Sequence, residues 1–167
     1  MNRATCSPAR FRGAIAITAL LLAVAAGSLR AANNDTEAQI ETYYEWTMEN
    51  FAIAAPIGGK QGDAARGRLL SVDRGKGNCI ACHQLPIPEA EFPGEIGPPL
   101  SGVGSRLSEA QIRLRVVDSK QINPATIMPG YYRHPRYFNH VKKKFRDKTL
   151  LNAQEIEDIV AYLVTLR

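Results

Sequence analysis

Apolar residues recur along this chain at helical spacing, in short stretches divided by glycine- and proline-rich loops. The clearest case is Ile156, Ile159, Val160 and Leu163, whose i, i+3, i+4, i+7 spacing lays one apolar stripe along a helix. Asn152-Ala153-Gln154-Glu155 opens that helix as a capping box. Ser108-Glu109-Ala110-Gln111 opens another in the same manner, running to about Asp118 with Ile112, Leu114, Val116 and Val117 as its apolar content. A third is expected from Asp63, its N-cap, to Val72, where Ala64, Gly67, Leu69 and Leu70 form a small apolar surface. Gly67 inside a helix costs about 1 kcal/mol relative to alanine, a cost that a close helix crossing would offset. Upstream, Asp35 to Ala52 predicts a further helix. Ile40, Tyr43, Tyr44, Trp46, Thr47 and Phe51 lie on its apolar side, and Glu41, Glu45 and Glu49 form an acidic face that either meets solvent or packs on a partner. Pro56, Gly58, Gly59 and Gly62 end it as a linker. No convincing alternation of period two is present, and the expected fold is all-α.

The first 32 residues read as an export signal. Arg3, Arg10 and Arg12 precede an uninterrupted small-apolar run from Ala14 to Gly27, 14 residues, which is short for a spanning helix. An uncleaved anchor is the competing reading. Cleavage near residues 27–32 removes Cys6 and leaves only Cys79 and Cys82, so no disulfide is available to the mature chain. Residues 33–61 then form an N-terminal helical extension and linker, and residues 62–167 one domain. The whole chain has 21 basic and 16 acidic residues, but residues 33–167 have 17 and 16, a balance that gives little support to nucleic-acid binding. Gly59-Lys60 and Gly75-Lys76 are not followed by Ser or Thr, which excludes a phosphate loop.

Cys79-Ile80-Ala81-Cys82-His83 carries the chemistry. Two thiols three positions apart can each add across one haem vinyl group and hold the porphyrin beside the following imidazole. A redox dithiol would expect a βαβ pattern nearby, and a zinc site a second cysteine pair; neither is present. The expected cofactor is one covalent haem c, with His83 as an iron ligand. Met48, Met128, His134 and His140 are the candidates for the other axial position. Met128 is preferred, because Pro124 and Pro129 restrict the loop Asn123 to Gly130 around it. Met48 reads as core, and His134 and His140 as exposed. A thioether ligand raises the reduction potential and points to one-electron transfer. Arg133, Arg136, Lys142, Lys143, Lys144, Arg146 and Lys148 form a basic stretch that either docks an acidic partner or is solvated.

Taken in order, the haem motif, Ile96-Gly97-Pro98-Pro99-Leu100, the Met128 loop and the capped last helix resemble the class I cytochrome c fold. That resemblance implies that Gly67 packs near Tyr162, that the Pro98 carbonyl accepts the His83 ring N–H, and that Leu100 packs on the haem. Gly77 to His83, Leu114 to Asp118, Asn123 to Tyr132 and Leu151 to Leu163 are similar to the SoxX family, the small mono-haem subunits of SoxAX sulfur-oxidation cytochromes. The family implies a periplasmic electron-transfer subunit paired with a SoxA-like c-type cytochrome. It would accept electrons from the coupling of thiosulfate to a cysteine of the SoxYZ carrier and pass them to another cytochrome. It implies no nucleic-acid partner and no membrane association after signal cleavage. A free-standing electron shuttle and a haem-based sensing module are the alternative functions.

Overall fold

The computed structural model describes residues 42–90, 92–137, 143 and 147–167, all within one compact unit spanning Ile40–Arg167. The export signal at 1–32 and the start of the Asp35 helix lie outside the described residues, as do His140, Lys142, Lys144 and Arg146. Among the described residues four α-helices follow in order: α1 Ala64–Val72, α2 Val103–Arg106, α3 Glu109–Asp118 and α4 Ala153–Thr165. Among the described residues there is no strand, only an isolated bridge between Glu49 and Ala52. None of the described helices is long and apolar enough to cross a membrane.

The helix starts follow from local chemistry. Asp63 caps α1 by accepting from the backbone N–H groups of Ala65 and Arg66, and α3 and α4 each open with a complete capping box. The stripe of α4 is the centre of the core: Ile156, Ile159, Val160 and Leu163 are all buried, and both α1 and α3 pack against that helix. The crossing of α1 over α4 is a backbone contact. A Cβ built on Gly67 would stand 1.9 Å from the Asp158 carbonyl oxygen, so the meeting point is Asp158–Ile159, one turn before Tyr162. Gly67 and Ser71 are the buried residues of α1, whereas Leu69 is 63% exposed and does not contribute to the apolar surface expected of it.

Residues 42–52 are not helical, in contrast to the expected helix over Asp35–Ala52. Asn50 and Phe51 take left-handed backbone conformations (φ 50° and 57°), and Glu49 and Ala52 exchange two backbone hydrogen bonds across that turn. Tertiary anchors replace the helical ladder. The Tyr44 N–H donates to the Tyr132 hydroxyl at 2.9 Å, Tyr43 stacks on Tyr132 at 5.1 Å, and the Ile53 N–H donates to the Ala110 carbonyl. Ile53 and Ile57 are buried, while Glu45 and Glu49 are exposed. The aromatic residues are therefore separate contacts along an extended strap, which a helical stripe could not have supplied.

The strap is tied down by a buried ion pair. Arg113 is 1% exposed; its Nε donates to both carboxylate oxygens of Glu157 at 2.9 and 3.0 Å, and its Nη1 donates to the Ile53 carbonyl at 2.9 Å. Glu157 Oε1 also accepts from the Ile57 N–H at 2.8 Å. Burial pushes the Glu157 carboxyl up from its ordinary value, against the pull of the Ile57 N–H and the Arg113 cation. Arg113→Ala, which leaves a buried carboxylate without its cation and removes the Arg113 donor from the Ile53 carbonyl, should cost about 3–5 kcal/mol in urea unfolding of the haem-loaded protein. Glu157→Gln should cost less, since Arg113 keeps Glu109 and the Ile53 carbonyl. A raised carboxyl contributes stability that is complete below its unfolded value and lost as pH rises through the folded one. The deficit of Glu157→Gln should accordingly be larger at acid than at neutral pH; a deficit that grows with pH would contradict the direction of this shift.

Candidate haem centre

The cysteine motif is wound into a single tight turn. Asn78 takes a left-handed conformation (φ 47°) and delivers the chain into a 3-10 turn over Cys79–Ala81. The Cys82 and His83 N–H groups both donate to the Cys79 carbonyl, at 3.1 and 2.9 Å. This winding brings Cys79, Cys82 and His83 to the wall of one cavity of about 580 Å³. Burial pushes the Cys79 thiol up to about 11, so it is uncharged when free, as a thiol destined for a thioether can be.

The loop that follows is stitched to the motif. The N–H groups of Gly94, Gly97 and Leu100 donate to the carbonyls of Ile80, Cys82 and Gln84, at 2.8, 2.7 and 2.9 Å. Pro98 is thereby placed with its carbonyl 2.8 Å from His83 Nδ1. A carbonyl only accepts, so Nδ1 carries the proton and Nε2 is left with its lone pair for a metal. Arg106 fixes the other side of this loop by donating to the Pro99 and Ser101 carbonyls at 3.0 and 2.6 Å. Gly97 lies against the imidazole: a Cβ there would be 2.3 Å from His83 Cε1. Gly97→Ala should therefore rotate the ring off Pro98 and alter the ferric absorption spectrum; a wild-type spectrum would show that the ring tolerates the methyl group.

All six residues expected at the site, Cys79, Cys82, His83, Pro98, Leu100 and Met128, line this one cavity. Its remaining wall is largely apolar and comes from the surrounding loops and from α2, α3 and α4, which supply Val103, Ile112, Val116 and Ile159. Met48 does not line it and is 37% exposed, which corrects its reading as a core residue. His134 does not line it either, and it is half-buried, with its ring 4.7 Å from that of Tyr43. Arg133 pairs with Asp118 at 3.2 Å, so this member of the basic stretch is engaged within the fold.

Several lining residues had no role in the sequence reading. Tyr131 donates its hydroxyl to the Gly77 carbonyl at 2.7 Å, joining the Met128 loop to the haem motif. Among the described residues that line the cavity, Arg106 and Arg115 are the only Arg, Lys, Asp or Glu. Arg115 stands between Leu114 and Val116, two positions after Arg113, and the sequence spacing does not separate a cavity-lining arginine from a solvated one.

The residues fit a haem. Two thiols and an imidazole with a free nitrogen occupy the wall, a thioether shares the cavity, and the rest is apolar enough for a macrocycle, with two guanidinium groups for its carboxylates. The volume falls within the range of about 300–1,000 Å³ typical of ligand pockets.

Comparison with known proteins agrees. The sequence model of the cytochrome c family (Cytochrome c) matches residues 64–167. No curated protein matches the chain. Among solved structures, the crystal structure of SoxXA from P. pantotrophus matches with a TM-score of 0.65 and 39% identity, over 73% of this chain and 94% of that one. A SoxX-like chain with the class I fold accounts for these matches, and its cofactor is a covalently bound haem c. The chain belongs to the cytochrome c family, in which it is a SoxX-like electron-transfer cytochrome.

Proposed function

We propose that this chain is the electron-transfer subunit of a SoxAX-type cytochrome, an L-cysteine S-thiosulfotransferase, paired with a SoxA-like c-type cytochrome. The observation that carries the reading is the convergence of Cys79, Cys82, His83 and Met128 on one apolar cavity, in a chain 39% identical to one in a SoxXA structure. Residues 62–167 form the haem domain, residues 33–61 an extension, and residues 1–32 a cleaved signal that directs the chain to the periplasm. Cys79 and Cys82 hold the cofactor, and His83 and Met128 supply the axial donors. The Pro98 carbonyl orients His83, Leu100 would pack on the macrocycle, and Arg106 and Arg115 would supply positive charge near its carboxylates. When bound, the haem supplies reversible one-electron chemistry.

Coupling thiosulfate to a cysteine thiol of the SoxYZ carrier gives up an electron pair and a proton. The reacting thiol belongs to the SoxA-like partner and the carrier, because Cys79 and Cys82 are both committed to the cofactor. This subunit takes the electrons one at a time and passes them to another cytochrome. Its apolar walls keep water from the cofactor, and the Met128 thioether favours the reduced state.

The test is affinity isolation of the periplasmic protein from cells grown on thiosulfate, followed by haem staining and mass identification. A stoichiometric second c-type cytochrome with a reactive cysteine is expected. A solitary mono-haem protein would instead make the chain a diffusible shuttle.

A further inference from the structure

The loop that carries Met128 is held from behind by groups outside the haem cavity. Asp118, the last residue of α3, is 1% exposed. Its carboxylate accepts from Gln121 Nε2 at 2.9 Å and the Lys120 N–H at 3.3 Å, and Arg133 Nε stands 3.2 Å from it as an ion pair. A carboxylate is disfavoured there twice over, by loss of water and by the negative end of the helix dipole. The Arg133 cation is its only salt-bridge partner among the described residues. Nor does this pair face the cavity, since neither residue lines it.

What the pair encloses is the backbone of residue 130. A Cβ on Gly130 would stand 2.5 Å from Arg133 Cγ and 2.7 Å from Asp118 Oδ1. The clasp therefore closes directly over the chain two positions beyond Met128. The neighbouring backbone is registered on the same helix: the Tyr131 and Tyr132 N–H groups donate to the Val116 and Val117 carbonyls at 3.3 and 3.0 Å. Ser119, next to Asp118, donates its hydroxyl to the Met128 carbonyl at 3.3 Å. The C-terminal end of α3 thus serves as the seat of the loop, with the Asp118–Arg133 pair as its latch.

We propose that Asp118 is a positioning residue for the sixth iron ligand: latched to Arg133 across Gly130, it sets how firmly the Met128 thioether is presented to the cavity. The proposal rests on the reading of Met128 as an axial donor. It concerns the fraction of molecules in which the thioether is released, and an exogenous ligand reads that fraction directly, because its apparent affinity scales with it.

The experiment is carbon monoxide titration of the ferrous, haem-loaded protein, with urea unfolding of the same samples. Asp118→Asn removes the charge from inside the latch, and Arg133→Gln removes it from the half-exposed side, where folding is least at risk. Each should raise the apparent carbon monoxide affinity by about tenfold or more, the factor that goes with breaking one partly buried ion pair. The double variant should add little to either single one, since both break the same contact. Met128→Ala marks the response of a released ligand. If Met128→Ala binds carbon monoxide no better than the wild type, the axial assignment itself fails, and the proposal fails with it. If Met128→Ala responds while Arg133→Gln and Asp118→Asn lose stability without any gain in carbon monoxide affinity, the pair is merely structural and the proposal alone is overturned. Should Asp118→Asn fail to load haem, Arg133→Gln decides by itself.

Discussion

Gly67→Val should leave almost no haem-loaded protein, and Gly67→Ala should unfold at a much lower urea concentration than the wild type. Even one methyl group at this position would meet the Asp158 carbonyl oxygen at 1.9 Å and the Ile159 nitrogen at 2.9 Å. These are backbone atoms of α4 and cannot rotate away as a side-chain end would, so the two helices must move apart. Overpacking of a core costs about 1–3 kcal/mol and occasionally more; a clash of helix against backbone belongs at or beyond the top of that range. Domains of this size have only about 5–15 kcal/mol in total. The larger valine should therefore remove most of it. The damage would reach the cofactor as well, because α4 contributes Ile159 and Leu163 to the cavity wall. Leu69→Ala is the matched control on the same helix: Leu69 is 63% exposed, and its loss should change stability by no more than about 0.5 kcal/mol. Equal midpoints for Gly67→Ala and Leu69→Ala would show that the crossing is not a close backbone contact.

That crossing also shows what the sequence could disclose and what it could not. A glycine interrupting a helical pattern announced that a neighbour approaches closely, and the capping boxes at Ser108 and Asn152 set where α3 and α4 begin. The resemblance placed Gly67 near Tyr162, and the structure adds that its direct contact is the Asp158–Ile159 backbone one turn earlier, a register that spacing along one helix does not disclose. The haem motif and the Met128 loop were readable from local chemistry (paired thiols, an imidazole, restricted backbone), the prolyl stretch only through the family resemblance, and the structure brings all three to one cavity. Residues 42–52 were not, because their aromatic residues satisfy helical spacing only loosely and their real partners, Tyr132 and Ala110, lie far along the chain. The buried Arg113–Glu157 pair escaped for a related reason. Charged residues in amphipathic helices are ordinarily assigned to solvent, and only tertiary packing reveals that these two face each other.

Met128→His should lower the reduction potential by on the order of 0.1–0.2 V, a modest part of the range of about 0.8 V over which axial ligands tune haem iron. A thioether is a weak donor that leaves the ferrous state favoured, whereas an imidazole donates more strongly and stabilises the ferric state. For a one-electron couple each 59 mV is a factor of ten in equilibrium constant, so the variant should be poorer as an electron acceptor by about fiftyfold to two-thousandfold. The loop is suited to such a substitution. Met128 is only partly buried and its N–H donates to Thr126 Oγ1 at 3.2 Å, a contact that any residue other than proline can keep. Potentiometry of the purified protein gives the shift, and the ferric spectrum shows whether the new imidazole ligates or leaves the position to water. Either spectral outcome would place residue 128 beside the iron, and the potential should fall in both. A potential and a spectrum both unchanged would mean that Met128 is a wall of the cavity and not a donor, and the sixth position would have to be filled by a residue other than the one the loop presents. Under the proposed function the same variant should accept electrons from its partner more slowly while its association with that partner stays intact, because the substitution changes the driving force and leaves the rest of the fold in place.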